Sequence, residues 1–215
     1  MIDILKKESF KEYCDDVASR DIDLKTILLQ YGYPPWWTRS TGFSTLIHII
    51  LEQQISLASA KAALNKLKEK IGTISPKKIL AMSDDDLKSC YFSRQKIIYA
   101  RHLAEEVVSK KLDLKKLNAL PENMIRQKLK AIKGIGDWTV DVYLLMALHR
   151  SDIFPVGDQA LVISIKHVKR MDTFASKPEI LKLSESWKPY RSIAAMLLWH
   201  AYLSKKNNGN IWKPK

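Results

Sequence analysis

A chain of 215 residues is long enough to bury a substantial core, either as one large domain or as two small ones. Thirty-six Lys and Arg against 23 Asp and Glu leave a net charge of +13, which favours a polyanionic partner. The apolar stretches are interrupted by charge every few positions and the opening MIDILKKESF lacks the apolar run of a signal peptide, so a soluble, intracellular protein with no membrane partner is expected. The two cysteines, Cys14 and Cys90, are too few for a four-cysteine iron–sulfur cluster or a disulfide framework, and they read as buried small hydrophobes.

Apolar residues recur at helical spacing in almost every long segment, as in Leu57, Ala60, Leu64, Leu67 and Ile71, and no stretch alternates as a strand. The predicted fold is all-α, with helices over 3–17, 21–31, 41–52, 57–71, 76–81, 84–89, 94–110, 121–131, 137–148, 158–169, 176–183 and 189–204. Ser83 with Asp86 makes a capping-box start, and Pro76 and Pro121 stand where helices begin. Two interruptions rich in turn formers, YGYPPWWTRS (31–40) and HRSDIFPVG (149–157), either separate lobes or line a cleft. The polar, basic end 204–215 reads as loosely held.

The most informative segment is LKAIKGIGDWTVDVYLLMAL (129–148), in which one apolar helix ends, Gly134-Ile135-Gly136 turns, and a second helix starts. Glycines there allow positive φ and close approach of another backbone, such as a DNA phosphate, to the free N–H groups at the start of the second helix. A glycine cap between two antiparallel helices would give the same pattern. Downstream, Asp158 heads an apolar helix after Pro155-Val156-Gly157, as a helix N-cap, as a functional carboxylate, or as both.

Residues 129–162, with the Pro155-x-x-Asp158 spacing, resemble the hairpin, loop and aspartate signature of the helix-hairpin-helix (HhH-GPD) DNA glycosylase superfamily. The resemblance implies two helical lobes, 40–152 as one and 1–39 plus 153–215 as the other, with a DNA-binding cleft between them. It also implies Asp158 as the catalytic carboxylate, stabilising positive charge on the deoxyribose as the glycosidic bond breaks or assisting the attacking water. Bifunctional members carry a Schiff-base lysine two residues after the second hairpin glycine; here that residue is Trp138, which implies base removal by water and no AP lyase activity. Trp138, the WKPYRS stretch (187–192) and Trp199 are similar to the 3-methyladenine DNA glycosylase II pattern. There the two tryptophans line the pocket of the flipped base, where an indole face attracts an alkylated, cationic purine; core packing is the alternative reading of each. The bacterial enzyme of that type has an extra N-terminal β-containing domain, which this sequence, read as helical from its start, is expected to lack.

The resemblance also makes Gln54, in GFSTLIHIILEQQISL (42–57), the residue that fills the hole left by the flipped nucleotide, with Gln53 structural; alternatively both amides cap neighbouring helices. His48 reads as a packed core histidine, Glu52 stands where the family often has a small residue, and Tyr33, Trp36, Trp37 and Phe43 either wall the pocket or pack the lobes. No cofactor is expected beyond a Na+ or K+ held by the main-chain carbonyls of Lys130, Ile132 and Ile135, again by resemblance. The expectation is thus a monomeric, intracellular base excision repair enzyme acting on double-stranded DNA with a damaged base, in the cytoplasm or nucleoid if the source is prokaryotic. It would release alkylated purines of the 3-methyladenine and 7-methylguanine type; uracil, thymine or hypoxanthine mismatches, or binding of damaged DNA without catalysis, are the alternatives.

Overall fold

The computed structural model describes residues 3–207. In chain order the α-helices are α1 (Phe10–Ser19), α2 (Ile22–Tyr31), α3 (Phe43–Glu52), α4 (Leu57–Ile71), α5 (Pro76–Ala81), α6 (Asp84–Ser89), α7 (Arg94–Val108), α8 (Glu122–Lys130), α9 (Asp137–Met146), α10 (Gln159–Val168), α11 (Lys177–Ser184) and α12 (Arg191–Asn207). Among the described residues the extended pairing is limited to one antiparallel bridge, Ile4 with Arg150. No helix there is long and apolar enough to cross a membrane.

Side-chain caps fix most helix starts. Ser56, Ser75, Ser83, Ser93 and Ser176 each accept a backbone N–H from the first turn, and the predicted Ser83–Asp86 capping box is present in full. The first helix departs from expectation, starting at Phe10 instead of residue 3. The backbone ahead of it bonds to a distant loop: the Leu5 N–H donates to the His149 carbonyl at 2.8 Å and the Ser151 N–H to the Asp3 carbonyl at 3.1 Å. The tail from 208 onward lies outside the described residues.

The chain divides into two compact units, Arg39–Tyr143 and the residues up to Thr38 together with those from Leu144 on. Residues 144–152, expected with the central lobe, belong to the terminal unit because their polar groups are satisfied there. Besides the bonds to Asp3 and Leu5, the Ser192 N–H donates to the Ser151 carbonyl at 3.0 Å, and Arg191 grips the Asp152 carboxylate at 2.8 and 2.9 Å.

In the central unit α3 is the innermost element, with Leu46, Ile47, Ile49, Ile50 and Leu51 inaccessible to solvent, packed on α4 and α7. A helix apolar nearly all round can only be a core element. In the terminal unit α12 plays that part, burying Ile193 to Leu198 against α1, α2 and α10. Cys14, on α1, is fully buried, and burial, with Asp15 beside it, pushes its thiol up to about 12; Cys90 is buried too.

The polar joint of the terminal unit is Asp21. It caps α2 through the N–H groups of Asp23 and Leu24 and also accepts from Lys169 Nζ and, at 2.7 Å, from Trp187 Nε1. Burial opposes its ionisation, but the bonds from Lys169 and Trp187 outweigh that and hold the carboxyl below its ordinary 3.8. Asp21→Asn is therefore expected to lower stability near neutral pH by about 2–4 kcal/mol, read as a lower urea midpoint. The contribution is complete above the unfolded value and lost as pH falls through the lower folded one, so the two proteins converge in acid. A deficit unchanged near pH ~2 would contradict the ion-pair account.

Candidate active site

Helix α8, the hairpin turn and most of α9 belong to the central unit. Helix α8 ends at Lys130, the chain turns through residues 131–136, and α9 starts at Asp137. The two helices are clasped by Lys130–Asp137 and Arg126–Asp141, both at 2.7 Å, with Arg126 also on Glu122. Burial pushes the Asp141 carboxyl up to about 6, against the pull of Arg126.

The two glycines do different things. Gly134 has φ +86°, and a Cβ built on it would lie 2.1 Å from the ring of Tyr99 on α7, so no other residue fits. Gly136 has neither constraint: its φ is not positive and a Cβ there would meet nothing within 4 Å. The expectation of positive φ thus holds at Gly134 alone, because the chain at Gly136 has already turned towards α9. Ile135 is buried, and its N–H donates to the Ile132 carbonyl at 3.1 Å. The Lys133 N–H donates to His102 Nδ1 at 2.9 Å. His102 and residues 130–136 line an open hollow of about 450 Å³.

Gln53 ties this turn to the end of α3. Its carboxamide donates to the Gly134 carbonyl at 2.8 Å and to Thr139 Oγ1 at 3.1 Å, the structural role expected of it. The next residue, Gln54, is exposed and has φ +60°, rarely adopted by a residue with a side chain. Trp138, in the first turn of α9, is half-buried. His48 is not a packed core residue: it is partly exposed, with Nε2 3.5 Å from Glu52.

Asp158 belongs to the terminal unit, as the N-cap of α10. A tight turn delivers it, with its own N–H donating to the Pro155 carbonyl at 2.8 Å. The WKPYRS stretch fixes the loop in front of it. Ser192 Oγ accepts the Ile153 N–H at 2.9 Å and donates to the Arg150 carbonyl, Arg191 grips Asp152, and Trp187 is buried against Phe154. The Asp158 carboxylate receives the Leu161 N–H and the Trp199 indole N–H, both on Oδ1 at 2.9 Å. The N-cap reading thus holds, with a second donor from a distant helix on the same oxygen.

Trp199 is 7% exposed, and its geometry is that of a donor to Asp158. Trp37 meets it edge-on at 6.5 Å, Trp36 stacks on His149, Tyr33 donates to Asp15 on the surface, and Phe43 is buried in the central unit. The sequence pattern gave no sign of Tyr99, of Lys96, or of the pairing of Arg39 with Glu52, since contacts between residues far apart in the chain have no local period.

A helical hairpin with a glycine-gripped turn, followed in sequence by a capped carboxylate on a pinned loop, defines a helix-hairpin-helix DNA repair architecture. Residues 47–189 match the model of the HhH-GPD superfamily base excision DNA repair protein, and the chain belongs to that family. It is similar to DNA-3-methyladenine glycosylase 1 of Schizosaccharomyces pombe, 30% identical over 161 residues that cover 73% of this chain and 71% of the relative. The solved structure of the fission-yeast 3-methyladenine DNA glycosylase in complex with abasic DNA superposes with a TM-score of 0.79 at 26% identity, covering 87% of this chain and 95% of that one. A DNA-3-methyladenine glycosidase from Bacillus halodurans gives a TM-score of 0.73 at 27% identity, covering 94% and 93%.

The glycines can be told apart by stability. Gly134→Ala is expected to cost more than about 2 kcal/mol, through both φ and the Tyr99 ring. Gly136→Ala should cost less than about 0.5 kcal/mol. Thermal melts of the two variants check this, and equal losses would contradict the assignment.

Proposed function

We propose that the protein is a monofunctional DNA glycosylase that hydrolyses the N-glycosidic bond of flipped-out alkylated purines, of the 3-methyladenine and 7-methylguanine type, and leaves an abasic site. The observation that carries this reading is Asp158, a carboxylate fixed at the head of α10 by two donors on one oxygen in a chain of the base excision repair family. The names of the yeast and Bacillus relatives support the lesion class.

Gly136 suits a phosphate contact: its open Cα face lets a phosphate approach the N–H groups at the start of α9, and that contact is independent of base sequence. A Na+ or K+ on the carbonyls of Lys130, Ile132 and Ile135 would add positive charge beside that phosphate. The Ile132 carbonyl already accepts one N–H and keeps a second lone pair for such an ion. Gln54, exposed at a turn, enters the stack as the damaged nucleotide leaves it. The Trp138 indole offers an electron-rich face to a cationic purine.

The purine, already positive, departs with the electron pair of the C1′–N9 bond and becomes neutral. Positive charge then develops on the deoxyribose, opposite the Asp158 carboxylate, where an aligned negative group lowers the barrier. Water adds at C1′ and its proton passes to the carboxylate and on to solvent. Trp138 at the lyase position has no nucleophilic nitrogen, so no Schiff base forms and the strand stays intact.

Asp158→Asn is expected to abolish release of methylated purines from an oligonucleotide while DNA binding persists, and strand breaks after wild-type reaction should require hot alkali. Undiminished release by the variant, or breaks without alkali, would overturn the mechanism. Trp199→Phe keeps an aromatic ring at the site and removes one donor to Asp158. It should lower kcat roughly tenfold or more with KM nearly unchanged, since a hydrogen bond to a charged group is worth about 1.5–3 kcal/mol.

A further inference from the structure

The three residues ahead of Gln54 are each anchored by a different element of the central unit. The Leu51 carbonyl accepts from Lys96 Nζ of α7 at 2.7 Å, and that lysine is only 8% exposed. The Glu52 carboxylate, also 8% exposed, is held by the Arg39 guanidinium with two parallel bonds of 2.8 and 2.7 Å, with His48 alongside. Gln53 is bound to the hairpin carbonyl of Gly134 and to Thr139. Gln54 then follows with φ +60°, and Ser56 caps α4 two residues later.

Helix stability alone does not account for this arrangement. Glu52 is the last residue of α3, where the helix dipole disfavours a carboxylate, and burying it with an arginine carries a desolvation cost that an apolar pair would avoid. Lys96 likewise loses hydration, and burial lowers its pKa. What a bidentate fork and a buried ammonium do supply is orientation, because each works only in a narrow geometry. A sparsely populated backbone conformation persists where its surroundings over-determine it, and the residues before Gln54 are so determined.

We propose that Arg39, Glu52 and Lys96 are positioning residues that hold Gln54 as a preformed strut, acting in base flipping and leaving bond cleavage untouched. Through Gln53 the strut is continuous with the hairpin turn, so the backbone that meets the DNA phosphate and the side chain that enters the stack move as one body. This rests on the reading of Gln54 as the inserted residue.

The test compares single-turnover release of 7-methylguanine from a fully paired duplex and from a bulge in which the lesion is unpaired and needs little flipping. Glu52→Gln should slow the paired substrate about ten- to a hundredfold and leave the bulge within about twofold, since misplacement by an ångström is enough for such losses. Equal slowing of both substrates, or of neither, would overturn the proposal. Gln54→Ala run in parallel separates the two readings. If it shows no selective loss on the paired duplex, the inserted-residue reading fails; if it does and Glu52→Gln does not, the brace alone fails. Should Glu52→Gln fail to fold by circular dichroism, Arg39→Lys, which keeps the charge and removes the fork, is expected to give the same selective loss.

Discussion

The central unit turns on one steric fact: at Gly134 the backbone and the ring of Tyr99 leave no space for a side chain. From that contact the rest of the hairpin follows. The carbonyl of the same residue is taken by Gln53, the two helices are clasped by arginine and lysine ion pairs, and Gly136 is delivered to a position where nothing of the protein crowds it. One glycine is thus a requirement of the fold, and the other is not. The pattern GxG conceals this division of labour.

The terminal unit solves a different problem, that of holding a carboxylate still on a loop. Loops are mobile unless their backbone groups are satisfied, and here the loop before Asp158 is bonded on both sides. The segment 3–5 pairs with residues 149–151, while Ser192 and Arg191 at the start of α12 take Ile153 and Asp152. The Trp187 to Ser192 stretch therefore works at a distance, fixing the approach to the aspartate without touching it. Trp199 completes the arrangement from the buried side by donating to Oδ1.

Helix positions were legible because capping chemistry is local: α4, α5 and α6 begin and end where apolar spacing and serine caps place them. The all-α class, the glycine turn and Asp158 as a helix cap were legible for the same reason. Legibility failed where a distant partner decides. Residues 3–9 have helical spacing, but Asp3 and Leu5 pair with a loop nearly 150 positions away, and α1 starts late. The same pairing draws residues 144–152 into the terminal unit. Glu52 was visible as an odd residue at its position, yet its meaning lies in Arg39, whose separation from it follows no periodicity. An indole in sequence reads as a stacking surface, and its N–H bond to a residue 41 positions away, as from Trp199 to Asp158, has no local signal.

The burial of the cysteines has a chemical corollary. Agents that methylate ring nitrogens of purines also attack thiolates, and a thiol reacts with them in proportion to its ionised fraction. Cys14, sealed inside α1 and ionising only near about 12, presents almost no thiolate at neutral pH, and Cys90 is shut away from solvent as well. Neither thiol is therefore a ready target for such agents.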